Sequence, residues 1–422
     1  MARGDQWVSA KGGSRRSYSG GNSTMLARRL LVVVLVLILI LALGSVVQLV
    51  RGVPNPTYTA TLASASTIPG TPPTIAWPAH AEAAAEIMGV GSLGQHGDLH
   101  ETEIASVTKM TTALLTLKAH PLSLGESGPK LTMTAQEYQI YVNDKNANDS
   151  VGAIKEGEVL SEQQLLELLL IPSADNIATV LANWDAGSVS RFVTEMNNYA
   201  TSLGLHHTHY GDPSGVTPST LSIPRDQLKI EALFMANPVL ANIASMEQAT
   251  LPVAGTVYNV NYALGHDNIV GAKTGSILTG SFAMATQIKL GPSNLLGLGT
   301  ILDVGGVQPL INALHDGETL AKSLQTIPRE LTVLRKGQVV GYLNVPGAKA
   351  DPVIATETVT EVGWPGLSES FTPTLVKSVY GLPAGAKVGT ATLTVGEQLK
   401  IVPLKVANAV AHPSIVWRLT HF

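Results

Sequence analysis

Three short motifs stand in one order along this chain: Ser106-Val107-Thr108-Lys109, then Ser173-Ala174-Asp175-Asn176, then Lys273-Thr274-Gly275. A fold that uses them as one set must supply a serine and an amine one helical turn apart, a second hydroxyl on a turn, and a cation on a strand. Residues three apart on a helix share a face, so Lys109 can reach back to the Ser106 hydroxyl. The stretch that follows predicts that helix: Met110, Ala113, Leu114 and Leu117 form an apolar stripe at helical spacing that ends near His120-Pro121. Ser106 then sits at the helix N-terminus, where unpaired backbone N–H groups favour a developing oxyanion. A serine hydroxyl is a weak nucleophile until a neighbour takes its proton, and an amine does this only where desolvation keeps it neutral. Spacing alone is a poor guide. Ser127-Gly128-Pro129-Lys130 has it too, but Gly-Pro reads as a turn that would not align the pair.

The second motif follows a helix announced by a capping box, Ser161 with Gln164, ahead of Leu165, Leu166, Leu168, Leu169 and Leu170. That helix stops at Ile171-Pro172, because proline disfavours helical geometry in the residue before it. Ser173 is then presented on a turn, and it also reads as the cap of a following helix from Ala174 to Trp184. The third motif lies in an extended stretch, Asn268 to Ser276, followed by a second one from Ser281 to Thr286, which predicts two adjacent strands. Gly275 lets a peptide approach the strand backbone, while Lys273 and Thr274 offer a charge and a hydroxyl to an anion. The plain alternative is an edge strand whose lysine discourages aggregation.

With these motifs go Trp77-Pro78 and the block Met196-Asn197, Leu203-Gly204-Leu205, Thr208-His209-Tyr210 and Asp212-Pro213-Ser214-Gly215. From about Ile75 to Leu324 the chain resembles the serine-type D-alanyl-D-alanine carboxypeptidases, the low-molecular-weight penicillin-binding proteins of bacteria. The resemblance implies an α+β fold of the β-lactamase/transpeptidase kind, an antiparallel sheet with a helical subdomain. It implies Ser106 as nucleophile, Lys109 as its base, and Ser173 as the group that passes a proton to the leaving D-alanine. Lys273 and Thr274, with Gly275 beside them, would hold the substrate carboxylate, and the N–H groups of Ser106 and Ser276 would form the oxyanion hole. The implied partners are peptidoglycan stem peptides ending in D-Ala-D-Ala and β-lactam antibiotics. The related β-lactamases carry a glutamate-bearing loop after the second motif; here Glu195 falls within a helical stripe and reads as a surface residue.

One position departs from the family. Where Ser-x-Asn is usual, the third residue is Asp175 and the asparagine, Asn176, comes next. An ionised carboxylate only accepts hydrogen bonds, and beside Lys109 it favours the charged amine. Either Asn176 substitutes through a shifted turn, or Asp175 is tolerated in the substrate-binding motif, or activity is weak. A scaffold that binds the wall without chemistry, and a β-lactamase-like hydrolase, are the competing readings.

An apolar fraction of 45% and a charged fraction of 14% exclude a disordered chain, and a net charge of −4 gives no basic excess for nucleic acid. The absence of cysteine removes disulfides and thiol chemistry. No cofactor is called for. His206, His207 and His209 lack an acidic partner at ligand spacing, which argues against a metal. His266 lies near Lys273 in sequence and could flank the site. Leu30 to Val50 is uncharged and long enough to span a bilayer, and Arg3, Lys11, Arg15, Arg16, Arg28 and Arg29 precede it against Asp5 alone. The expected order is a disordered cytoplasmic tail (1–29), a transmembrane anchor (30–50), an extended extracytoplasmic linker (51–73), the carboxypeptidase domain (74–325) and a β-rich domain (326–422). A cleaved signal peptide competes with the anchor, although its apolar core would be shorter. In the last segment, the stretches from Arg335 and from Ala384 read as one hairpin used twice, suggesting a small β-sandwich.

Overall fold

The computed structural model describes residues 21–421. Its first element is a helix, Gly21–Val50, long and apolar enough to cross a membrane and exposed along its apolar length. The tail expected to be disordered therefore yields its last nine residues, 21–29, to this helix, and residues 1–20 lie outside the described residues.

The centre is a five-stranded antiparallel sheet in the order Ile269–Ser276, Gly280–Leu290, Ser293–Val304, Glu82–Ile87, Gly91–His96. Successive side chains of a strand face opposite ways, and here each face feeds a different core. Ala83, Ala85, Phe282 and Met284 join one apolar cluster; Ala84, Ala283 and Ala285 join another. On the first face lies the helix Pro309–Leu324, held close because a side chain at Gly317 would enter the Phe282 ring. The second face carries the helical region, where Pro224–Ala236 rests on the strands. Lys109–Ala119 runs through the middle of that region, touching Glu162–Leu170, Asp175–Ala186, Val189–Ser202 and Pro224–Ala236. Its threonines 111, 112 and 116 are buried along with its apolar stripe, so polar partners must be built around it.

Beyond Leu324 the chain makes a two-stranded ribbon, Arg329–Leu334 with Val359–Gly363, and a seven-stranded sheet. The expected sandwich is thus one large sheet plus a ribbon. Both edges of that sheet come from the segment expected to be a free linker. Thr57–Ala60 pairs with Val339–Asn344 at one edge, and Ser66–Thr67 pairs with Ser368–Leu375 at the other. Proline, threonine and serine gave the segment a linker's composition, but edge strands need no buried alternation. Tyr58 fastens the first edge. Its hydroxyl donates to the Val340 carbonyl at 2.7 Å, and its ring lies where a Gly341 side chain would be.

The repeat read from sequence has a structural counterpart. Gly337 and Gly385 both adopt positive φ (83° and 76°), and a register shift precedes the equivalent Gly341 and Gly389 in each strand. The apolar cluster under the helix Pro309–Leu324 continues into this sheet through Val340, Val353, Phe371 and Val402, so the two parts share one core.

Candidate active site

Ser106 lies in a short 3₁₀ turn, Ala105–Thr108, which leads into the helix that begins at Lys109. The turn starts from Ala105 in a left-handed conformation (φ 47°). Lys109 is fully buried, and its amine has three partners: Ser106 Oγ at 2.6 Å, Asp175 Oδ1 at 2.6 Å and the Ser214 carbonyl at 3.1 Å.

Ser173 also sits at positive φ (64°), on the turn after Pro172. It does not cap the next helix: Asp175–Ala186 has Ala174 at its N-cap and no side-chain cap. Its hydroxyl instead accepts a hydrogen bond from Lys273 Nζ at 2.9 Å. Lys273 is 2% exposed, and its amine also donates to the Thr274 carbonyl at 2.9 Å. Burial, and then the charge of Lys109, push the Lys273 amine well below the usual lysine range, against an opposing pull from Asp175.

The strand carrying Lys273 is the sheet edge that faces the turn holding Ser106. A side chain at Gly275 would come within 2.7 Å of the Ile104 carbonyl and 3.0 Å of the Ser106 amide nitrogen. The glycine therefore admits the protein's own Ser106 turn, a neighbour that the sequence did not announce. Thr274 is buried beside it, and Ser276 is exposed at the strand's end.

The departure at the second motif resolves into two different environments. Asp175 joins the cluster, one oxygen on Lys109 and the other accepting from the Ser150 amide at 3.1 Å. Asn176 is not brought to it. It is fully buried, and its amide pairs with both backbone groups of Gly152, at 2.9 and 3.0 Å.

Sequence reasoning missed what holds the turn in place. Asp212 accepts from the Ser214 and Gly215 amides, both at 2.7 Å, and from the Thr217 amide at 2.8 Å. Burial raises its carboxyl, but these bonds outweigh that and leave it below the usual range. The loop so formed aims the Ser214 carbonyl at Lys109, and Gly215 packs on the Ala105 carbonyl. Thr112 donates to the Pro213 carbonyl at 2.6 Å, Thr111 meets the Tyr210 hydroxyl at 2.7 Å, and Asn197 pairs with the Tyr210 backbone. Asp-Pro-Ser-Gly is a turn signature that could have pointed to this loop. His266 pairs with Glu318 and His207 with Glu101, and His209 bridges Leu221 through its backbone. Glu195 is exposed on its helix.

A family model described as D-alanyl-D-alanine carboxypeptidase matches residues 93–287. A D-alanyl-D-alanine endopeptidase of Pseudomonas aeruginosa is 27% identical over 209 residues, covering 46% of this chain and 63% of that protein. A Streptomyces D-alanyl-D-alanine carboxypeptidase is 27% identical over the same length, covering 46% and 70%. Among solved structures, penicillin-binding protein 5 from Haemophilus influenzae matches at 18% identity with a TM-score of 0.56, covering 82% of this chain and all of that one. A Streptomyces DD-transpeptidase matches at 25% identity with a TM-score of 0.51, covering 60% and 98%. The fold is that of the penicillin-binding proteins. Over residues 93–287 the chain is similar to the D-alanyl-D-alanine carboxypeptidase family, and that stretch holds the strands and helices that carry the three motifs.

Proposed function

We propose that the protein is a membrane-anchored serine D-Ala-D-Ala carboxypeptidase that removes the terminal D-alanine from peptidoglycan stem peptides and is acylated by β-lactams. The observation that carries this is the pairing of two buried lysines with two serine hydroxyls, Lys109 with Ser106 and Lys273 with Ser173. Burying amines is costly, and a scaffold without chemistry would not need both. Ser106 Oγ attacks the carbonyl of the scissile bond while its proton passes to Lys109. The tetrahedral oxyanion is held by the Ser106 and Ser276 N–H groups. Collapse breaks the C–N bond, and the leaving D-alanine nitrogen takes its proton through Ser173. Lys273 and Thr274 hold the terminal carboxylate, which draws the Lys273 amine back toward its charged form. Water then releases the acyl group from Ser106. The helix Gly21–Val50 would anchor the enzyme, the basic residues ahead of its uncharged stretch Leu30 to Val50 keeping the N-terminus cytoplasmic and the catalytic part on the wall side.

The test is incubation of the protein with benzylpenicillin followed by intact mass. A stable adduct is expected on Ser106 and none in Ser106→Ala; an adduct surviving in the variant, or fast turnover of the drug, would sink the assignment.

A further inference from the structure

The acidic residue in the second motif is fitted to its place by its neighbours. Two donors converge on Asp175 from different elements: the Lys109 amine on Oδ1 and the Ser150 N–H on Oδ2. The Asp175 N–H returns a bond to the Ser150 carbonyl at 2.7 Å, which locks the loop against the start of the helix Asp175–Ala186. A carboxylate can accept both donors, whereas an amide presents one acceptor oxygen and an NH₂. With asparagine here, either Lys109 or Ser150 would face a donor. The usual residue is therefore the misfit in this chain.

Around the Lys109 amine the geometry is equally selective. The Asp175 carboxylate and the Ser214 carbonyl can only accept, so they take two N–H groups whether the amine is charged or neutral. One direction remains, and Ser106 Oγ occupies it at 2.6 Å. That direction holds an N–H before the proton is gone and a lone pair after, so a proton can cross between Ser106 and Lys109 without moving a heavy atom.

Resting on the acyl-transfer reading above, we propose that Asp175 is a positioning residue: its carboxylate is the contacting counter-ion of a two-lysine site and leaves Lys109 one hydrogen-bonding direction, toward Ser106. The charged groups that face it are Lys109 from the central helix, Lys273 from the sheet edge, and Asp144 and Asp149 from the end of the helix Ala135–Ala147 and the loop beyond. Asp144 is pushed up to about 6 by burial and then by Asp149 and Asp175, and Asp149 is raised by burial and by Asp175 against Lys109. Only Asp175 is within ion-pair distance of either lysine among the described residues.

The experiment measures acylation of the full-length protein in detergent by benzylpenicillin across pH, for wild type, Asp175→Asn and Asp175→Ala, the last with and without added formate. Asp175→Asn is expected to acylate about 10- to 100-fold more slowly at neutral pH, as for a mispositioned reacting group, with its adduct still on Ser106. Its half-maximal pH should also fall, because the carboxylate that holds the proton on Lys273 is gone. Formate should recover Asp175→Ala several-fold, which a purely structural role would not allow. An asparagine variant within about twofold of wild type with a superimposable pH profile overturns the proposal. Should that variant not fold, the alanine variant decides, and absence of formate rescue overturns the proposal. A wild type that forms no adduct rejects the acyl-transfer reading itself, a result separate from either variant's.

Discussion

The helical and central-sheet part and the C-terminal β part bury their residues by different rules. Buried charged and hydroxyl side chains crowd the first, from Glu82 to Thr300; beyond Thr300, Asp351 stands alone among the described residues. Yet one apolar cluster runs through both, from Ala83 and Phe282 to Val402. The difference teaches where stability is given up. Lys109, Lys273 and Glu231 are groups no folding requirement would place in a core, whereas the β part, Asp351 aside, keeps its interior apolar.

The sharpest test of that contrast is Gly275→Ala. A Cβ there meets the Ile104 carbonyl and the Ser106 amide, so the sheet edge must move off the Ser106 turn. Penicillin acylation should fall by about 100-fold, and wild-type rates would show that close packing is not required. Next comes Phe371→Ala, in the shared cluster on the β side. A denaturant melt should lose about 3–5 kcal/mol, while acylation per folded molecule stays unchanged. A rate loss in the folded fraction would erase the distinction between the two parts.

Lys273→Met should act in the opposite sense on stability. Removing a desolvated amine that lies near a second cation should stabilise by about 1 kcal/mol or more, while discrimination between peptides with free and amidated C-termini disappears. A destabilised variant would mean that the amine's bonds to Ser173 and Thr274 outweigh its desolvation. The smallest effect is expected from Glu231→Gln. Glu231 is fully buried, accepts from Thr300 at 2.8 Å and has its other oxygen unpartnered. Burial raises its carboxyl well above the 4.5 of the free group. From that value upward the native state binds the proton that the unfolded chain releases, so stability falls as pH rises. Glutamine has no such proton, and the variant's gain in melting temperature should be absent at pH 4 and appear toward neutrality. A gain independent of pH would place the cause in packing.

Much of the catalytic part was legible in the sequence because its signals are local. The Ser161–Gln164 capping box is present with both bonds, and the leucines after it are buried. The two strands around Gly275 pair as expected. The three motifs could be read as a set, and so could the approach of Lys109 to Ser106 and Asp175, but the backbone partners of the site could not. Ser214 contributes through a carbonyl and Ser150 through an N–H, which every residue but proline has, so neither leaves a side-chain signature. The Asp175 and Asn176 environments depend on a loop that arrives from 25 residues away. In the β part, the twofold hairpin was visible because glycines mark its bulges, while the strands from residues 57–67 were hidden. They lie at sheet edges, where exposure leaves composition free to resemble a spacer.

Those two edge strands also decide how a pull would travel through the molecule. The chain leaves the apolar helix at Val50, runs into Thr57–Ala60 antiparallel to Val339–Asn344, and then into Ser66–Thr67 at the far edge, before it reaches the first strand of the catalytic sheet. Arg418, on the short helix Ile415–Thr420, bonds to the carbonyls of Leu49 and Arg51, tying the end of the chain to the same point. A pull between this helix and the turn that holds Ser106 would therefore load the seven-stranded sheet in shear along its strands. The Ser106 turn lies downstream of that clamp.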